Sequence, residues 1–372
     1  MASNNHITYG MKLKTGKLRE AIEKMITDNQ SDLEKHGELP APIAIWGTHG
    51  LGKTALVEAI AKDKGWHFAY LAPAQFEELG DLHGLPVKDG ESGETSFLPP
   101  AWVPTEEGPG ILLLDDINRA DDRILRGLMQ LLQLHSMGSW KLPAKWQILV
   151  TCNPEGGDYS VTPLDGAMTS RWDHLTIDWD PRAWAQWALS VGIDARCVDF
   201  VLCYPEVVGD GRTTPRTLAR FFRKVAHLDD WEKELDMIAV YGHSTIEETT
   251  VHAFLAYVRD NLQALLLPED ILTAKSIKAL SAAIDKMAYD SDGRTVRIDR
   301  LGATCTRMYL HLAERKEAPT AAEKKNFVEF LCHRALPNDL KYNLHKDISG
   351  IASPITSILD DQRLANIVLG GI

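Results

Sequence analysis

The feature that most constrains this 372-residue chain is the octapeptide Gly47-Thr48-His49-Gly50-Leu51-Gly52-Lys53-Thr54. It follows the apolar run Ile43-Ala44-Ile45-Trp46 and opens the helical stretch KTALVEAI. A strand, a glycine-rich turn and a helix in that order form a cradle for an anion. The glycines let successive backbone N–H groups curl around it, and the helix N-terminus adds its dipole. A G-x4-G-K-[ST] match in this context reads as a Walker A loop. Gly47, Thr48, His49, Gly50, Leu51 and Gly52 then wrap the phosphates of a nucleotide. Lys53 reaches the β- and γ-phosphates, and the Thr54 hydroxyl ligates Mg2+. The competing reading is a glycine-rich turn that binds nothing, and the flanking strand and helix weigh against it.

The chain around the loop carries the pattern of a parallel sheet. From Pro42 to about Asp178 the apolar runs PIAIW, WHFAYLA, GILLLD, WQILVTC and HLTID alternate with the helical stretches KTALVEAIAKD and DDRILRGLMQLLQLH. That alternation predicts βαβ units. The expected fold class is α/β, a P-loop NTPase core over 41–180 with a parallel five-stranded sheet between helices. Residues 1–40 read as a helical segment, because MKLKTGKLREAIEKMI is basic and amphipathic and Ser31-Asp32-Leu33-Glu34 has the form of a capping box. After Pro181 the strand-like runs stop. Trp184, Trp187, Ala188 and Val191 fall on one helix face, and helical periodicity continues to the C-terminus. The expectation is a helical lid over 181–270 and a helical C-terminal extension over 271–372, with Arg294, Arg297 and Arg300 forming a short basic piece.

Two further strand ends carry chemistry. The run Ile111-Leu112-Leu113-Leu114 ends in Asp115-Asp116, 62 residues beyond Lys53. A carboxylate at the C-terminal tip of a buried parallel strand lies where such sheets bind ligands, so Asp115 is placed to hold Mg2+ through water. Asp116 is placed to polarise the attacking water as general base. After WQILV comes Thr151-Cys152-Asn153-Pro154, and an amide at that tip can orient the water without repelling the γ-phosphate. Taken singly, paired aspartates and an Asn-Pro step are ordinary turn residues.

Composition narrows the function classes. The net charge of −12 repels a polyanion from the chain as a whole, which disfavours nucleic acid as a partner. The five cysteines never form a C-x-x-C pair, so neither a disulfide framework nor a zinc ribbon is indicated. No run of eighteen apolar residues appears, and MASNNHITYG lacks the pattern of a secretory signal, so the expected location is cytoplasmic with no membrane association. The thirteen histidines include no HExxH, and no Ser/His/Asp or Cys/His order suggests a hydrolase nucleophile.

With these residues in view, the chain resembles the AAA+ ATPases, and more narrowly the MoxR-type, dynein-related branch. The blocks GTHGLGKT, DLHGLPV with SFLPPAWVP, LLLDDINRA, GSWKLPAKW, TCNP, SRWDHLTI and TTPRTL occur in the family's order from about 40 to 225, and the likeness thins beyond. The resemblance implies that Asn153 occupies the sensor 1 position. It implies that Arg171 is the arginine finger presented to the nucleotide of a neighbouring subunit, in a homo-oligomeric ring that is usually a hexamer. It also implies that Arg216 is sensor 2 on the lid, with Arg212 as a rival. Local physics agrees with the last assignment: Thr214 can cap a helix, Pro215 suits its first turn, and Arg216 there is a cation unfavourable to the dipole unless an anion is near. Residues 80–104 and 136–143 resemble the branch's two insertions, where Trp102 or Trp140, if exposed, is a partner contact and otherwise folds onto the core.

One residue departs from the family pattern. Asp116 stands where glutamate is usual, and the shorter side chain holds its carboxylate roughly 1.5 Å further from the water. A misplacement of about 1 Å can cost about a hundredfold in rate. The leading expectation is a Mg2+-dependent ATPase that remodels or activates a protein client, in keeping with the MoxR-type resemblance one carrying a von Willebrand A domain. The alternatives are a slow or non-hydrolysing nucleotide-switched assembly module and a motor subunit of a nucleic-acid-processing complex.

Overall fold

Alternate residues of the apolar runs in the first half of the chain are buried on opposite faces of one sheet. The computed structural model describes residues 7–364 except 89, 91–92, 157–159, 210, 262–264, 291–292 and 294, so Arg294 lies outside the described residues. Packing divides the chain into two units, Met1–Asp180 and Pro181–Ile372.

In the first unit the strands are β1 (Met11–Lys14), β2 (Ile43–Trp46), β3 (His67–Leu71), β4 (Leu85–Lys88), β5 (Thr95–Leu98), β6 (Gly110–Leu114), β7 (Ser136–Met137), β8 (Trp140–Lys141), β9 (Trp146–Cys152) and β10 (Asp173–Asp178). The helices are α1 (Thr15–His36), α2 (Lys53–Lys64), α3 (Gly80–His83), α4 (Asp122–Leu134) and α5 (Gly166–Thr169). Six strands form one sheet in the order β1-β10-β2-β9-β6-β3, every neighbouring pair parallel. On one face Ala44, Trp46, Leu112, Leu114, Ile148 and Val150 pack with Leu128 and Leu131 of α4. On the other, Ile43, Ile45, Ile111, Leu113 and Leu149 pack with Leu18, Ile22 and Ile26 of α1 and Val57 and Ile60 of α2. Both faces are covered, which is why these strands read as continuous apolar runs rather than alternating ones. The α/β P-loop NTPase core expected from sequence is the observed fold.

The sheet has six strands rather than five. The extra strand is β1, drawn from residues that the basic amphipathic pattern assigned to a helix. It is seated against β10 through Gly10, whose φ is +80° and where a Cβ would lie 2.0 Å from the His174 carbonyl oxygen. Only glycine allows that approach. The helix begins at Thr15 and runs through Ser31, so the Ser31–Glu34 capping pattern starts nothing; α1 ends instead at Gly37 in the left-handed region.

The insertion over 80–104 holds α3 and the antiparallel pair β4–β5, with residues 89 and 91–92 outside the described residues. The segment 136–143 forms the pair β7–β8. Trp140 is buried and makes an edge-to-face contact with Trp102 at 5.4 Å, and its indole N–H donates to the His83 carbonyl at 3.3 Å. Of the two readings of these tryptophans, the inward one holds.

The second unit is helical: α6 (Pro181–Ser190), α7 (Ala195–Cys203), α8 (Pro215–Val225), α9 (Leu235–His243), α10 (Glu248–Asn261), α11 (Pro268–Leu272), α12 (Ile277–Ala288), α13 (Ile298–Glu314), α14 (Ala321–Leu331) and α15 (Asn338–Ser349). Rings of Phe200, Phe221 and Phe222 pack on Phe254, those of Phe200 and Phe221 edge-on at 5.0 and 5.2 Å. On α6 the buried face is Trp184, Ala185 and Ala188, while Trp187 and Val191 are 44% and 45% exposed, so the apolar face read from sequence is half right. Among the described residues no helix is long and apolar enough to cross a membrane. All five cysteines are free thiols, four of them buried.

Helix α14 starts with a capping box, Thr320 accepting from the Glu323 amide and Glu323 accepting from the Thr320 amide. The Arg315 guanidinium donates to the Glu323 carboxylate at 2.7 Å and, with the Thr320 contacts, holds it down at about 2 against an ordinary 4.5. A carboxylate depressed in this way contributes stability that is complete above its unfolded value and is lost as pH falls through the folded one. Urea unfolding followed by circular dichroism should therefore weaken between pH 4.5 and about 2. Arg315→Ala should lower stability at pH 7 and flatten that decline.

Candidate functional site

The loop from Gly47 to Gly52 joins β2 to α2 at the C-terminal edge of the sheet, between the tips of β9 and β10. Gly47 donates its amide to the Cys152 carbonyl at 3.2 Å, and a Cβ there would lie 2.3 Å from Ile177 Cγ2. The loop is thus pressed onto the neighbouring strands at its first residue. Thr48, His49, Gly50 and Leu51 are half-buried along the turn, and Leu51 packs on the core face shared with α1 and α2.

Lys53 is only 6% exposed, and its ammonium donates to the Gly47 carbonyl at 2.7 Å, the Thr48 carbonyl at 3.2 Å and Asn153 Oδ1 at 3.2 Å. Burial pulls its pKa down, and the nearby carboxylates of Asp116 and Asp115 oppose that pull. An ammonium only donates, so it fixes which end of the Asn153 amide faces it. The other end, Nδ2, is buried without a hydrogen-bond partner among the described residues. An orphaned donor in a fully buried residue, beside a buried cation at the mouth of a phosphate loop, fits an anionic ligand.

Asp115 lies at the tip of β6 and accepts from three hydroxyls. Oδ1 accepts from Thr54 Oγ1 at 2.8 Å and Thr151 Oγ1 at 2.7 Å, and Oδ2 accepts from Tyr70 OH at 3.2 Å. Thr54 and Asp115 together offer a hydroxyl and a carboxylate, hard oxygen donors of the kind that Mg2+ would take. Asp116 adopts the left-handed conformation with φ 49°, and its carboxylate meets Arg119 at 3.3 Å, across a partly exposed pair. Asn118, fully buried, clamps Asn153 from both sides: its Nδ2 donates to the Asn153 carbonyl at 2.7 Å and its Oδ1 accepts the Asn153 amide at 3.0 Å.

The structure brings the loop, Lys53, Thr54, Asp115, Asp116 and Asn153 into one cluster in the first unit. Arg171 follows α5 on the same unit, exposed, with its guanidinium on the Ala167 carbonyl; among the described residues it has no ion pair with Asp173. Arg216 is exposed in the first turn of α8 in the second unit, behind the Thr214–Thr217 capping box and Pro215. Arg212 is engaged elsewhere, its guanidinium on the His243 carbonyl at 3.1 Å and its amide on Glu247. Sequence reasoning passed over Tyr70, Asn118 and Thr151. The legible sign was a hydroxyl near the C-terminal end of a mostly apolar strand, Thr151 in WQILVTC and Tyr70 in HFAYL.

The chain is similar to midasins: it is 31% identical over 93 residues to that of Dictyostelium discoideum and 30% identical over 173 residues to that of Giardia intestinalis. These matches cover 24% and 43% of the chain and span only 2% and 4% of the length of those relatives. No family model matches the chain. Among solved structures, a mutant of Thermotoga maritima RuvB is 16% identical with a TM-score of 0.38, covering 75% of this chain and 85% of that one. The Thermotoga maritima RuvB Holliday junction branch migration motor is 18% identical with a TM-score of 0.34, covering 71% and 81%. The likeness to midasins is thus local, and it falls on a chain whose first unit is a parallel sheet with a glycine loop between β2 and α2.

Lys53→Ala should weaken Mg-ATP binding roughly a hundredfold, about the worth of two hydrogen bonds to a charged group. Asp115→Asn should leave Mg2+-free nucleotide binding near wild type and abolish the gain on adding Mg2+. Isothermal titration calorimetry with and without Mg2+ checks both.

Proposed function

We propose that this chain is a ring-forming ATPase of the AAA+ class that binds ATP with Mg2+ and uses its hydrolysis to remodel or activate a partner protein. The observation that carries the reading is the buried Lys53 ammonium beside the orphaned Nδ2 of Asn153, at the mouth of the glycine loop. In this reading the loop amides and Lys53 bind the triphosphate. Thr54 and Asp115 would hold Mg2+, which would supply positive charge to offset that of the phosphates. Asp116 takes the proton of the attacking water, and the freed donor of Asn153 orients that water. Arg171 and Arg216 are the proposed cations for the terminal phosphate, Arg171 acting on the nucleotide of a neighbouring protomer. The MoxR-type resemblance extends the proposal to a hexamer and to a client with a von Willebrand A domain. The acidic net charge supports a protein client over nucleic acid.

Purified protein should form rings with Mg-ATP and release phosphate. Arg171→Ala should keep nucleotide affinity and lose turnover, read by a phosphate-release assay beside size-exclusion chromatography with light scattering. Unchanged turnover in a strictly monomeric Arg171→Ala protein would refute action across protomers.

One observation favours a second reading, a nucleotide-switched module with little turnover. The carboxylate of Asp116 is already paired with Arg119, on a side chain one methylene shorter than glutamate. If the switch reading holds, wild-type turnover is no higher than that of Asp116→Asn, while ATP still drives assembly.

A further inference from the structure

We propose that Thr151 is a positioning residue for the nucleotide site, using both halves of one hydroxyl to fix the two acids at the tip of β6. Its Oγ1 donates to Asp115 Oδ1 at 2.7 Å and accepts the Asp116 amide at 2.7 Å. The side chain is fully buried on β9, whose residues Leu149 and Val150 pair with Leu113 and Leu114 of β6. A hydroxyl has one proton to give, so the donation to Asp115 commits it, and the Asp116 amide takes a lone pair. The two bonds do different work. The first restrains the Asp115 carboxylate, whose Oδ1 is shared between Thr151 and Thr54. The second holds the backbone of Asp116 at φ 49°, a conformation unfavourable to a side-chain-bearing residue, and so aims its carboxylate. Two residues on, just past the end of β9, the backbone of Asn153 is gripped by Asn118, which belongs to the turn that follows Asp116. Thr151 and Asn118 therefore tie the strand tips together at two points, and the acid that would hold Mg2+, the base and the water-orienting amide move as one body.

The inference rests on the nucleotide reading, and its test separates the two. Thr151→Val keeps the shape of the side chain and removes both bonds, whereas Thr151→Ser keeps the hydroxyl. In the valine variant the Asp116 amide should lose protection, its hydrogen exchange rising at least tenfold, and the serine variant should restore it; this readout needs no nucleotide. Affinity for a fluorescent ATP analogue without Mg2+ should stay within about twofold of wild type, because Lys53 and the loop are untouched. Half-saturating Mg2+ should rise at least fivefold and kcat should fall at least tenfold in the valine variant, with serine recovering both to within about threefold, in line with the cost of a misplacement of about 1 Å. Exchange at Asp116 unchanged in Thr151→Val, or a serine variant as impaired as valine, overturns the clamp. Failure of the wild type to bind the analogue overturns the nucleotide reading instead, and the exchange result still decides the clamp.

Discussion

A buried ammonium organises the C-terminal edge of this sheet. An isolated charge out of water is costly unless hydrogen bonds and opposite charges surround it. Lys53 meets that cost with two carbonyls of its own loop and the amide oxygen of Asn153, with Asp115 and Asp116 near enough to favour the charged form. Three of those partners are fixed in turn: Gly47 against Cys152 and Ile177, Asn153 by Asn118, Asp115 by three hydroxyls. The arrangement is a shell built around a cation, in which Asn153 Nδ2 has no partner among the described residues.

Most of the core was legible because parallel strands buried on both faces leave an unmistakable record. PIAIW, WHFAYLA, GILLLD, WQILVTC and HLTID each became a strand of the sheet. The loop was legible because its glycines and its lysine are demanded by chemistry that no other residues perform. Strand β1 was not, since MKLK at the head of an amphipathic helix carries no period of its own at four residues, and what makes it a strand is Gly10 against a carbonyl far along the chain. Trp187 was misread for a related reason: spacing of 3.6 marks a face, but it does not say how wide the neighbouring helices make the buried part of it.

At the site, sequence could name the polar groups gathered at the edge of the sheet and missed the groups that hold them. Lys53, Thr54, Asp115 and Asn153 sit at strand and helix ends, where a motif shows them. Thr151 lies inside a strand, and Asn118 within a turn that follows two conspicuous acids. Their roles depend on partners 35 or 36 residues away in the chain that only the register of β6 against β9 brings together. The pairing of Asp116 with Arg119 is a local i,i+3 contact, yet it too was invisible, because it requires the left-handed turn at Asp116.

The order of strands also distributes stiffness unequally around Asp115. Strands β6 and β9 each have a partner on both sides, whereas β3, which carries Tyr70, is the last strand of the sheet and is held along one side only. The two threonines that grip Oδ1 belong to interior strand and helix, and the phenol that grips Oδ2 hangs from a margin that can bend at lower cost. A carboxylate mounted in this way has one oxygen fixed to the frame and the other tethered to its rim, so flexing of the rim reaches it as a rotation about a pivot rather than as a displacement.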